Sequence, residues 1–100
     1  MKKILAILKS TKLDSRVRLG IMSILVVNDW VEFKELKRLL ELTDGNLASH
    51  ISALEKAECI EFKKEFVGKK TKTSYKASSK GKKAFKNHLE ALEALIKGGK

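Results

Sequence analysis

The stretch from Leu42 to Lys56, LTDGNLASHISALEK, constrains this chain more than any other. The Thr43 hydroxyl can accept a backbone N–H that a first helical turn leaves unpaired, and Asp44 then sits where the helix dipole favours an anion. A helix is expected to start here. Leu47, Ile51 and Leu54 recur at i, i+4 and i+7, so they form one narrow apolar stripe. At about 100° per residue, Gly45, Ser49, Ser52 and Lys56 fall opposite it, flanked by Asn46 and Ala53. In a chain with 34% charged residues, an outer face of short, mostly uncharged groups is an odd choice for solvation alone. It suits hydrogen bonding to base edges. An isolated amphipathic helix is more often a plain surface helix, so the neighbouring segments decide.

Upstream, Phe33, Leu36, Leu39 and Leu40 point one way and Lys34, Lys37 and Arg38 the other, which predicts a short helix joined to the next by Glu41-Leu42. A short helix, a tight turn and a second helix with polar N-terminal residues make a helix-turn-helix. Before it, Asp14 can cap a helix whose inner stripe is Val17, Ile21, Ile24 and Leu25, with Arg16 and Arg18 near its start. Gly20 inside that helix costs ~1 kcal/mol against Ala and marks a close contact. Asn28-Asp29 ends the helix, and Trp30-Val31-Glu32 reads as a very short extended piece. Residues 2 to 9 suggest another short helix with Ile4, Leu5 and Leu8 on one side, which needs a surface to dock on.

Downstream, residues 59 to 66 alternate with period two, putting Ile60, Phe62 and Phe66 on one inward face. Residues 71 to 77 alternate likewise, and Val67-Gly68-Lys69-Lys70 supplies the loop of a β-hairpin. Ser78 or Ser79 then caps a final helix, and Gly98-Gly99-Lys100 should fray. Phe85, Leu89, Leu92 and Ile96 step along it by four, three and four residues, the spacing of a helix-pairing seam. Together with Ile4, Leu5 and Leu8 this seam predicts a homodimer, the alternative being that the helix folds back on its own domain.

The formal charge of +10 calls for a polyanionic partner or an anionic membrane surface. Between Lys63 and Lys83 nine lysines meet a single acid, Glu65, so one hairpin and the start of the next helix hold most of that charge. Lys64, Lys69, Lys70, Lys72 and Thr73 are the expected phosphate contacts there, with Arg18 and Lys34 on the backbone nearby. The hairpin has no arginine, and lysine lacks the planar fork that favours narrow minor grooves, so it should grip phosphates and leave sequence reading to the helix. A basic amphipathic helix, the membrane-surface pattern, is missing because the charge lies on the hairpin.

One hundred residues make one domain, expected over 1–97, with 1–12 as N-terminal helix and linker, 13–77 as helix-turn-helix plus hairpin, 78–97 as the pairing helix and 98–100 as a tail. Cys59 alone excludes an internal disulfide and a zinc site, and is best read as a small buried apolar residue. The apolar run after Lys2-Lys3 stops at Lys9 without a cleavage-type segment, and nothing approaches the ~20 apolar residues of a membrane span. A cytoplasmic location is expected, with no cofactor or metal. An enzyme is disfavoured, since no phosphate-cradling loop is present and His50, His88 and Cys59 have no motif spacing. The competing function is a module binding protein or RNA. RNA readers display aromatics for stacking, whereas Trp30, Phe33, Phe62, Phe66, Tyr75 and Phe85 are all expected inward or on the seam.

Residues 13 to 86 resemble the winged-helix transcription regulators of the ArsR/MarR type, most closely the small stand-alone members. The matching pieces are LDSRVRLGIM from Leu13, FKELK from Phe33, LTDGNLASHI from Leu42, LEKA from Leu54, VGKK from Val67, TSY from Thr73 and SKGKKAF from Ser79. The resemblance implies an α+β, mainly α, winged helix-turn-helix that binds double-stranded DNA as a homodimer through terminal helices, at a two-fold symmetric operator. It implies that Thr43, Asp44, Gly45, Asn46, Ser49 and His50 lie on the DNA-facing helix, 43–57, and Lys69 to Thr73 on the wing, 63–76. His50 lies nearer the apolar stripe than Ser49, so packing with one phosphate contact competes with base reading there. The chain departs from the family pattern at Glu58, where glycine is usual at the helix exit, at Thr71, where proline is common, and at Ala77, where leucine is common. Those departures predict a strained helix exit and a looser second wing strand. The clustered cysteines of metal-sensing members are absent.

Overall fold

The computed structural model describes residues 15–98, which form four helices and a three-stranded sheet. In order these are α1 (Arg16–Val27), β1 (Val31–Glu32), α2 (Phe33–Leu40), α3 (Asp44–Lys56), β2 (Ile60–Val67), β3 (Lys70–Ala77) and α4 (Ser79–Gly98). This is a winged-helix fold, mainly helical. The expected docking helix bearing Ile4, Leu5 and Leu8 lies outside the described residues, as does Asp14. The cap of α1 is Ser15 instead, whose side chain accepts from the Arg18 N–H. At the other end Asn28 closes the helix by donating its side-chain amide to the Ile24 carbonyl, 2.9 Å away.

Ile21, Met22, Leu25, Leu36, Leu47, Ile51 and Leu54 fill the space between α1, α2 and α3, closed by Val31, Cys59, Ile60, Tyr75 and Ala77 from the sheet side. Gly20 meets α2 as expected, since a Cβ there would lie 3.2 Å from a Leu40 methyl. Leu39 departs from its expected inward position. It is half exposed, because it lies about 60° round the helix from the fully buried Leu36, at the edge of the apolar stripe. Both helices of the helix-turn-helix end in the same way. Leu42 N–H returns to the Lys37 carbonyl and Glu41 N–H to Arg38, while Cys59 N–H returns to Leu54 and Glu58 N–H to Glu55. These are paired Schellman closures, which require a left-handed residue. Glu41 (φ 52°) and Glu58 (φ 60°) occupy those positions, so the chain turns at Glu58 as a glycine would, without one.

The strand order is β1-β3-β2, antiparallel throughout, with Ile60 opposite Ala77 and Val67 opposite Lys70. Val31 and Glu32 pair with Tyr75 and Ser74, so the second wing strand is central and bonded on both sides rather than loose. The hairpin closes through Gly68-Lys69 alone, with Gly68 at φ 67°, a conformation that costs glycine nothing. α4 starts from Ser78, whose hydroxyl accepts from the Gly81 N–H and donates to the Glu58 carbonyl. Gly81 lets this helix lie directly on the chain leaving α3, since a Cβ would fall 1.9 Å from the Cys59 carbonyl oxygen. α4 runs through Gly98, one residue further than expected.

Candidate nucleic-acid interface

The side chains of α3 divide as the sequence predicts. Leu47, Ile51 and Leu54 are buried, and Gly45, Asn46, Ala48, Ser49, Ser52 and Lys56 are exposed. Thr43 caps the helix by accepting from Asn46 N–H at 3.1 Å. Asp44 is held by Lys37 of α2 at 2.9 Å, an ion pair that neutralises the acid at the start of the polar face and ties the two helices together. Exposed pairs of this kind contribute at most about 1 kcal/mol, so its role is orientation more than stability. His50 is half-buried at the edge of the face, and its Nδ1 accepts from Arg18 Nε at 3.2 Å. That contact, linking α1 to α3, favours packing for His50 and brings Arg18 to the side of the helix.

Beside the helix-turn-helix stands the wing. An open cleft between the start of α2 and β3 is lined by Glu32, Lys34, Lys69, Lys70, Lys72 and Thr73, together with Phe33, Val67, Thr71 and Tyr75. Lys34 is thereby brought into one groove with three lysines of the wing, far along the chain. Lys72 is partly occupied by Glu32, 3.5 Å away. Burial, and then the nearby Glu55 carboxylate of α3, hold the Tyr75 phenol above its usual pKa.

Three features escaped sequence reading. Trp30 is not inward, because it lies against the outer face of the sheet, with Lys63 Nζ 4.6 Å and Lys76 Nζ 5.1 Å from its ring centroid. Two of the nine lysines are thereby spent on a tryptophan. Phe62 and Phe66 also depart from expectation. They share the face of Ile60 and Tyr75, but the core ends below them, leaving Phe62 53% and Phe66 83% exposed. Alternation identifies a shared face, and it does not say how far the core extends beneath it. Lys64 lies exposed between them, opposite Thr73.

On α4, Phe85 packs partly against the core, Leu92 is half-buried, and Leu89 and Ile96 are exposed at 44% and 83%. The seam is thus split, its inward side carrying Gly81, His88 and Ala91. Cys59 is buried as expected, and that burial raises its thiol pKa. Among the described residues no cluster of His, Cys, Asp or Glu is arranged to hold a metal, and no described helix is long and apolar enough to cross a membrane.

A family model described as "Winged helix DNA-binding domain" matches residues 17–96. The chain belongs to that family. This winged helix is also 39% identical, over 84 residues, to an uncharacterised protein of Methanocaldococcus jannaschii, a match spanning 84% of this chain and 91% of the relative. Among solved structures it is similar to a transcriptional regulator homologue from Pyrococcus horikoshii OT3, with a TM-score of 0.87, 34% identity and coverage of 98% and 97%. Two further structures share the fold at low identity. NadR in complex with 4-hydroxyphenylacetate has a TM-score of 0.74 at 18% identity, covering 98% of this chain and 68% of that one. YusO of Bacillus subtilis has a TM-score of 0.78 at 13% identity, covering 97% and 70%. The chain thus belongs to a DNA-binding family, and its solved neighbour at 34% identity is a transcriptional regulator homologue.

Proposed function

We propose that this winged helix is a sequence-specific regulator of transcription, of ArsR/MarR type, that binds duplex DNA as a homodimer and acts by binding rather than catalysis. In this reading α3 enters the major groove, with Asn46, Ser49 and Ser52 at base edges and Thr43, Gly45 and Lys56 alongside. Arg18, Lys34, Lys64, Lys69, Lys70, Lys72 and Thr73 hold phosphates, and the wing follows the backbone towards the minor groove. The observation that carries it is the mostly uncharged exposed face of α3, in a domain whose cleft gathers Lys34, Lys69, Lys70 and Lys72 and whose neighbouring groove runs from Lys34 to Asp44 at the start of α3. Base edges discriminate among sequences, whereas phosphates supply most of the attraction, and these two chemistries call for those two surfaces. The exposed Leu89 and Ile96 of α4 support pairing with a second copy, which would set two α3 helices about one DNA turn apart. Such a protein works in the compartment that holds the chromosome, the cytoplasm in a cell without a nucleus.

A band-shift assay against genomic fragments of the parent organism tests this reading. We expect a few fragments to be retained selectively at moderate salt, and uniform binding that disappears as salt rises would refute it. RNA is the second reading, favoured by the exposure of Phe62 and Phe66, since ring faces stack on unpaired bases. Competition by single-stranded RNA at equal nucleotide concentration separates the two. The duplex reading expects no displacement of the retained fragments.

A further inference from the structure

We propose that Phe66, at the tip of the wing, is an apolar wedge that enters one base step of duplex DNA from the minor groove and kinks it, an inference that rests on the duplex-binding reading above. The fold itself gives Phe66 nothing to do. Its side chain is 83% exposed, it pairs across the hairpin with Thr71, and Val67 beside it is 59% exposed. It also lies on β2, an edge strand of the sheet, where exposed apolar residues invite unwanted strand pairing and polar ones are the usual choice.

Its surroundings indicate the occupant. Lys64 shares its face two residues back, and one residue pair beyond Phe66 the hairpin turns through Gly68 and Lys69 into Lys70, so the exposed ring stands between a cation on its own face and the cations of the turn. An apolar ring framed by phosphate-binding groups matches a base stack bordered by its two backbones. Proteins that act on the minor groove use Phe, Leu, Ile or Met in this way, opening one step and bending the duplex by about 20–90°. Phe62 lies about 13 Å further along the strand, with Lys64 between the two rings. The tip therefore offers one ring to one step rather than a continuous platform for a run of unpaired bases.

The wedge also alters what the wing contributes. A lysine hairpin alone is indifferent to sequence, but one that must open a step favours flexible pyrimidine–purine steps such as TA or CA at that position. The wing would then select by deformability, without a base-edge hydrogen bond.

The test uses the full chain and a duplex that it has selected, with 2-aminopurine placed at one position at a time in the flanks beneath the wing. With the wild type, fluorescence should rise at one step, the mark of an unstacked base. Phe66→Ala should abolish that rise, straighten the duplex in an end-to-end energy-transfer assay and weaken binding about tenfold. Its salt dependence should not change, because Lys64, Lys69 and Lys70 remain. Phe66→Leu should restore the fluorescence signal. Because the side chain is so exposed, both variants should melt with the wild type, which separates the wedge from a folding defect. Selective duplex binding with no unstacked position, or identical fluorescence and bend in the wild type and Phe66→Ala, would overturn the wedge alone. Loss of single-stranded RNA binding in Phe66→Ala with duplex bending intact would overturn it in favour of a stacking role. A wild type that selects no duplex would overturn the duplex-binding reading and the wedge together.

Discussion

Glu41 and Glu58 sit in left-handed backbone positions that usually belong to glycine, one at the end of each helix of the helix-turn-helix. Both are held there by the paired N–H returns of a Schellman closure, with Leu42 and Cys59 then turned inward. The conformation costs a side-chain-bearing residue about 1–2 kcal/mol, and glycine gives back part of that through its freer unfolded chain. Glu58→Gly should therefore stabilise the domain by about 0.5–1 kcal/mol, visible as a rise of a few degrees in Tm by circular dichroism. Glu58→Ala keeps the strain and should leave Tm near the wild-type value, whereas a lower Tm for Glu58→Gly would contradict this account of the turn. At this scale local chemistry was legible in the sequence. The Thr43 cap, the buried Cys59 and the departure at Glu58 each depend on a few neighbouring atoms. Trp30, Phe62, Phe66 and Gly81 were not, because their surroundings come from segments far along the chain, Trp30 from both wing strands and Gly81 from the carbonyl of Cys59.

Two elements have to be rigid relative to each other for a polar helix and a basic hairpin to act on one ligand. The Lys37–Asp44 pair ties α2 to α3, Arg18 ties α1 to α3 through His50, and Val31 and Glu32 tie the start of α2 to β3. The hairpin itself divides into two faces. The outer face spends Lys63 and Lys76 on Trp30, and the inner face continues past the core as Phe62, Lys64 and Phe66. Element order, the buried stripe of α3 and the hairpin could all be read from periodicity, since each repeats over several residues. The short β1 strand and the two-residue turn were less legible. A two-residue strand carries no period, and the turn length is set by where Val67 and Lys70 pair.

For the whole molecule, the exposed side of α4 is an apolar surface left uncovered among the described residues. Leu89 and Ile96 lie on it, while Phe85 and Leu92 turn partly inward, so half of the predicted seam is already used within the chain. A homodimer covering the other half is expected to dissociate when Leu89 and Ile96 are both replaced by Lys. Sedimentation should show the mass halved with the circular dichroism spectrum retained, and an unchanged mass would place the dimer contact elsewhere. The central claim is the division of labour between α3 and the wing, and it is tested by selecting duplexes and titrating salt on two double variants. Lys69→Ala with Lys70→Ala should weaken binding to every sequence alike and lower the slope of log affinity against log salt by about 2, while Asn46→Ala with Ser49→Ala should change which sequences are selected and leave the slope alone. If the two pairs change selectivity and slope in the same way, the helix does not read and the wing lysines do not merely hold, and the account is wrong.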